Sequence, residues 1–291
     1  MPTINGKTSI RLEDGGASRD RTYHGLWHQP AHFDPLTSAL RRRGFTVHVP
    51  RLHRGSLRAD TRAVQSIVDR CEAPPVVVGH SYGGSVITGL TGISHLVFVA
   101  AFVPANGESS ASLGGPGALA NSAVLKHGDG STSIDPDRAI PALYGHCHAS
   151  DAEHARRLLV TQAPGHGRGM PETLSWTFTP STYVICEDDN ALDPELQERM
   201  SKRCTTIVRL PSDHSPFICQ PEELANALVT AIRDSTRLAF PVRHGAGALA
   251  RCVNWPSPSR AERSTIGVCS GNPIHSRCVG RASGPARFRR S

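Results

Sequence analysis

The chain has 291 residues and a formal net charge of +7, with 38% hydrophobic and 5% aromatic side chains, enough for one large domain or a domain with a smaller insertion. No stretch approaches the roughly 18 consecutive apolar residues of a membrane helix, and "MPTINGKTSIRLEDGG" lacks the apolar core of a signal peptide, so the expectation is a soluble, cytoplasmic protein without a membrane partner. The charge is localised: residues 240–291 carry nine arginines against one acid, Glu262, and the remainder carries 23 basic and 24 acidic side chains, which argues against a basic nucleic-acid-binding body.

Residues 1–22 form an atypical, mostly polar N-terminal segment. From residue 36 to 234 short β-rich runs alternate with segments of helical apolar spacing. "LTSALRRRG" reads as a helix closed by Gly44, and "FTVHVP" as a strand stopped by Pro50. "RADTRAVQSIVDRCE" places Ala63, Val64, Ile67 and Val68 on one helical face. "PPVVVGH" and "SHLVFVAAFVP" are continuous apolar runs, suited to strands covered on both faces of a parallel sheet. Later, "TYVICEDD", "DPELQERMSKRC", "TTIVRLP" and "PEELANALVTAIRD" read as strand, helix, strand, helix, with Asp193 and Pro221 at helix starts. The pattern predicts an α/β fold with a doubly wound, mostly parallel sheet.

Residues 23–105 and 181–239 make up this core, and residues 106–180 interrupt it. "ANGESSASLGGPGALANSAVLKHGDGSTS" is loop-like and "DAEHARRLLVTQ" helical, so the insertion reads as a small, partly helical cap. Residues 240–291, rich in Gly, Pro, Ser and Arg without sustained periodicity, are expected to be a disordered basic tail. Only Trp255 and Phe288 interleave with its dispersed arginines, so no nucleic-acid partner is expected. Eight cysteines show neither a CxxC pair nor regular spacing, and the expectation is free thiols and no metal.

The chemistry concentrates at "VVVGHSYGG". A strand feeding Gly-x-Ser-x-Gly and then a helix puts Ser81 on a strained strand-to-helix turn, where Gly79 and Gly83 supply the small side chains the turn requires. Serine is a weak nucleophile unless a base, usually a histidine oriented by a carboxylate, takes its proton. His214, in "TTIVRLPSDHSPF", follows a predicted strand and precedes the last helix, where a base belongs. For the acid, "TYVICEDDNALDPELQ" offers Glu187, Asp188, Asp189 and Asp193; Asp193 reads as a helix cap, and periodicity does not separate Asp188 from Asp189.

With "HGLWH", "VVVGHSYGGSVITG", "LVFVAAFVPANGES", "LYGHC", "YVICEDDNALDPELQERM" and "LPSDHSPFICQPEEL" in view, the stretch from Tyr23 to Asp234 resembles the α/β-hydrolase superfamily. More narrowly, it resembles the branch containing plant methyl esterases, hydroxynitrile lyases and EstC-like esterases. In that branch the acid follows a Cys-x-x-Asp-x-Ala pattern, which aligns with Cys186, Asp189 and Ala191 and selects Asp189. The resemblance also implies an oxyanion hole made by the backbone N–H groups of Leu26 and Tyr82, with His24 and Gly25 shaping the loop, and no cofactor.

The lyases of the branch carry a threonine after the early histidine and a lysine after the catalytic one, where this chain has Gly25 and Ser215. The expectation is therefore a serine hydrolase acting on a small-molecule ester. A secondary-metabolism tailoring enzyme (lactone opening, cyclisation or acyl transfer) and a catalytically silent binding protein are the alternatives, and the oligomeric state is left open.

One departure stands out. The family leads into its His-Gly pair with an apolar interior strand, whereas here the lead-in is "EDGGASRDRTYHG". Either residues 1–22 lack that strand or "KTSIRLE" supplies a substitute followed by a long loop. Residues 240–291 have no counterpart in the family.

Overall fold

The computed structural model describes residues 26–52, 55–114, 122–165, 167–239 and 265–268. The valine run forms β2 (Val76–His80) and the next apolar run forms β3 (His95–Val99), every residue of both being buried. They pair in parallel with Val78 opposite Val97, and β3 pairs onward with β6 (Ser181–Cys186), also buried throughout. Strands enclosed on both faces have no solvent side for polar residues to occupy, which is why these segments do not alternate.

β1 (Thr46–His48), β7 (Thr206–Leu210) and β8 (Thr265–Val268) complete a six-stranded parallel sheet in the order β1-β8-β2-β3-β6-β7. Successive side chains of the central strands enter two different cores. Val76, Val78, Val97, Val99 and Val184 meet Leu36 and Leu40 of α1 (Asp34–Arg42), Phe217 and Ile218 of α8 (Pro216–Cys219), and Leu224 and Leu228 of α9 (Pro221–Ala239). On the other face Val77, Leu96, Phe98, Tyr183 and Ile185 meet Val64 of α2 (Leu57–Val68), Val86 of α3 (Gly83–Thr88), and Leu196 and Met200 of α7 (Pro194–Ser201). Helices on both faces of a parallel sheet confirm the doubly wound reading.

The helix boundaries follow the local signals. Gly44 adopts φ +86° just past α1, Ser56 Oγ accepts from Ala59 N at the start of α2, and the Asp193 carboxylate accepts from Glu195 N at the start of α7. Among the described residues no helix is long and apolar enough to cross a membrane.

Between β3 and β6 lie α4 (Ser110–Gly114), an antiparallel pair of β4 (Val124–Lys126) and β5 (Thr132–Ile134), α5 (Pro136–Leu143) and α6 (Ala149–Arg157). The β4–β5 hairpin falls in a stretch read as loop. Its turn is "HGDG", with Gly130 at φ +80° and His127 N donating to Ser131 O at 2.9 Å. The strands are only three residues each and their half-exposed side chains leave little hydrophobic pattern to read.

Inside the segment from 240 onward, the structure describes Thr265–Val268 as β8, with Ile266 opposite both Val47 and Val76. No strand was expected from this Gly- and Ser-rich surrounding. The remainder of that segment, residues 1–22, and the lead-in to His24 and Gly25 lie outside the described residues.

Candidate active site

β2 ends at His80 and α3 begins at Gly83, so the chain reverses within two residues. Ser81 stands at this corner with φ +53°, a left-handed conformation that costs a non-glycine residue on the order of 1 kcal/mol or more. It is held by main-chain bonds: Ser81 N donates to Val99 O at 3.3 Å, and Ser81 O accepts from Gly84 N at 3.0 Å and Phe102 N at 3.1 Å. A Cβ on Gly79 would lie 2.7 Å from the Gly83 carbonyl oxygen, as the expected turn requires. The second requirement falls elsewhere. Gly83 has open space where a Cβ would go, whereas a Cβ on Gly84 would lie 2.2 Å from Phe102 O, because that turn of α3 presses against the end of β3.

His214 follows β7 and is buried, with Nδ1 2.8 Å from Asp189 Oδ2. Asp189 Oδ1 accepts from Ala191 N at 2.7 Å and Leu192 N at 2.8 Å, and Oδ2 also accepts from Gln197 Nε2 at 2.9 Å. Four donors on a buried carboxylate offset the cost of removing it from water and fix its direction. The structure thus brings Asp189, not Asp188, against His214; Asp188 is exposed and lies 3.9 Å from His146 Nδ1. Gln197 was not expected from the sequence. Its signal is a glutamine between Leu196 and Met200 on the inward face of α7, fully buried, with Oε1 accepting from Cys186 N at 3.0 Å.

The loop of His214 is tied to the strand end just before Ser81. His80 Nε2 donates to His214 O at 2.8 Å, and the two imidazoles stand 4.5 Å apart. His28 and His32 join the same buried cluster, His28 lying 4.7 Å from His32 and 5.6 Å from His80 between ring centroids. Burial, reinforced by the neighbouring imidazoles, holds His28 and His80 well below the ordinary histidine range and so keeps them neutral.

Leu26 and Tyr82, the expected oxyanion donors, both border the core on the α2–α3 face, Tyr82 fully buried and Leu26 partly. Tyr82 caps α3, and its phenol donates to Asp60 Oδ2 at 3.0 Å, a buried acid the sequence reading did not single out. Next to Leu26, Trp27 adopts φ +68°. His24 and Gly25 lie outside the described residues.

The cysteine expectation is corrected. Cys147, between α5 and α6, and Cys219, at the end of α8, form a disulfide across 72 residues of sequence. Spacing could not reveal it, since the partners meet only when the cap folds over the loop that carries His214. Beside it, His146 N and Ser215 N donate to the carboxylate of Asp213, whose pKa burial raises. Cys147, Asp213 and Cys219 are the potential metal ligands that cluster among the described residues, and the disulfide withdraws both sulfurs from thiolate ligation. Free Cys186 is buried, which raises its pKa well above the thiol value, and burial pushes Cys204 up to about 12, so neither is an activated nucleophile.

A turn of this kind, opening a helix from a parallel strand with a histidine–carboxylate pair beside it, invites comparison with known hydrolases. The profile of the Alpha/beta hydrolase family matches residues 24–227. The chain belongs to the alpha/beta hydrolase family.

Curated relatives within this family include a pyrethroid hydrolase of Sphingobium wenxiniae, 26% identical over 244 residues, covering 70% of this chain and 84% of the relative. A carbendazim hydrolyzing esterase of a Nocardioides species is 28% identical over 244 residues, covering 70% of this chain and 96% of the relative. Among solved structures, a pyrethroid hydrolase from Sphingobium faniae superimposes with TM-score 0.64 at 24% identity over 75% of this chain and 96% of its own. Polyneuridine aldehyde esterase superimposes with TM-score 0.63 at 17% identity over 72% of this chain and 96% of its own. These structural likenesses establish the alpha/beta hydrolase fold.

Proposed function

We propose that the protein is a serine hydrolase of small carboxylic esters, with Ser81 as nucleophile, His214 as general base and acid, and Asp189 as the group that orients the imidazole. The observation that carries the reading is the buried 2.8 Å contact from His214 Nδ1 to Asp189, with His214 O bonded to His80, the residue that precedes a serine held at positive φ on the corner of the sheet. Family membership and relatives named for ester hydrolysis support it.

The Asp189 contact requires a proton on His214 Nδ1, and in the neutral tautomer this leaves Nε2 as the acceptor for the Ser81 proton. Ser81 Oγ then attacks the ester carbonyl carbon, and the oxyanion that forms is stabilised by the N–H groups of Leu26 and Tyr82; losing one such donor typically costs about a hundred- to a thousandfold in rate. Collapse passes the proton from His214 to the departing alcohol and leaves an acyl-Ser81. Water, giving a proton to His214, then attacks the acyl carbonyl carbon; as the bond to Ser81 Oγ breaks, His214 returns that proton to Oγ and the acid leaves.

The test is hydrolysis of p-nitrophenyl acetate and butyrate by the full-length protein, together with fluorophosphonate labelling mapped by mass spectrometry. Ser81→Ala is expected to abolish labelling and to lower turnover at least about a thousandfold. Wild-type turnover no greater than that of Ser81→Ala would favour the silent-binder alternative and overturn the reading.

A further inference from the structure

The strand that normally carries the oxyanion loop was not recognisable in the sequence, yet Trp27 to Gln29 are firmly tied. The ties run to the cap. Val160 N donates to Trp27 O at 2.9 Å, Trp27 Nε1 to Thr132 Oγ1 at 3.2 Å, and Gln29 Nε2 to Leu158 O at 2.8 Å. These contacts hold Trp27 at its positive φ, a conformation that persists only where the surroundings enforce it.

The peptide plane between Leu26 and Trp27 is held at both of its polar atoms. Its N–H faces Gln162 Oε1 at 3.5 Å, and its carbonyl, Leu26 O, lies 3.2 Å from His28 Nδ1. His28 Nε2 in turn lies 3.0 Å from the hydroxyl of Tyr144, which is fully buried at the end of cap helix α5. A carbonyl only accepts, so His28 Nδ1 carries the proton; the neutral ring's Nε2 is then an acceptor, and Tyr144 donates to it. A peptide plane is rigid, so anchoring this one leaves the Leu26 N–H to be set by the torsions of a single residue.

We propose that His28 and Tyr144 are positioning residues through which the cap aims the Leu26 N–H at the oxyanion. The proposal rests on the serine-hydrolase reading above. It makes the cap part of the catalytic apparatus: the hydroxyl of Tyr144, more than 100 residues from Leu26 in sequence, sets a backbone donor it does not touch. With His28 neutral, the hydrogen bonds run in one direction, from Tyr144 to His28 Nε2 and from His28 Nδ1 to Leu26 O.

Steady-state kinetics of Tyr144→Phe, His28→Asn and His28→Leu, with an alkylboronic acid as tetrahedral-anion analogue, test this. Tyr144→Phe is expected to lower kcat about tenfold and to weaken boronate binding by a similar factor, with KM changed less than about twofold, since a misaimed donor is lost mainly to the anionic state. His28→Asn, whose amide can still donate to Leu26 O, should retain at least about tenfold more activity than His28→Leu. Equal kcat and boronate affinity in wild type and Tyr144→Phe, or a rise in KM alone, would overturn the proposal. Wild-type turnover that does not depend on Ser81 would instead overturn the hydrolase reading, and this inference with it.

Discussion

At the scale of residues, the corner at Ser81 depends on which neighbours lack a side chain. Gly79 and Gly84 each face a backbone atom at a distance no Cβ can occupy, 2.7 Å and 2.2 Å, whereas Gly83 faces open space. Gly84→Ala must displace either α3 or the end of β3, and overpacking a well-packed site costs about 1–3 kcal/mol or more. The expected outcome is a clear fall in the thermal midpoint and loss of esterase activity for Gly84→Ala, with Gly83→Ala close to wild type in both. Ser81, His214 and a short choice of acids were legible because each sits at a strand end, a place marked by composition. Gln197, His80 and His28 were not, because a buried polar side chain looks like any other polar residue until its partners are known.

At the scale of elements, the cap is bolted to the loop bearing His214. The disulfide from Cys147 to Cys219 closes 72 residues of chain, and on a loop-entropy basis a closure of that length stabilises by about 4 kcal/mol. The bond from His146 N to Asp213 Oδ2 at 2.8 Å crosses the same junction. Reduction with dithiothreitol, or Cys147→Ser, is therefore expected to lower the thermal midpoint by several degrees and to increase proteolysis within residues 106–180. A melting curve unchanged by reductant would show that the bond contributes nothing to stability. The helices α1, α2, α7 and α9 were predictable from caps and apolar spacing. The β4–β5 hairpin was not, because strands of three residues carry too little pattern to separate them from loop.

At the scale of the whole molecule, β1 and β2 do not pair with each other; β8 lies between them and pairs with both. Removing it would leave two facing strand edges in the interior of the sheet, and each buried backbone group without a partner costs about 1–3 kcal/mol. Several such groups together rival the roughly 5–15 kcal/mol by which a domain is stable. A chain ending at residue 239 is accordingly expected to be largely insoluble or to melt well below the full-length protein, as circular dichroism would show. A truncated protein melting with the full chain would mean that β8 contributes nothing to the sheet.

The alternation of strands and helices outside the cap and up to residue 234, the doubly wound class and the corner at Ser81 were determined by the sequence alone, because each rests on short-range physics: β-branched runs, caps, and glycines that let a turn close. Tertiary structure alone decided the rest. Which carboxylate meets His214, which cysteines join, what ties Trp27 in place and what lies between β1 and β2 are all contacts between residues far apart in the chain. Such contacts are set by packing the two cores and the cap together, and no local pattern encodes them.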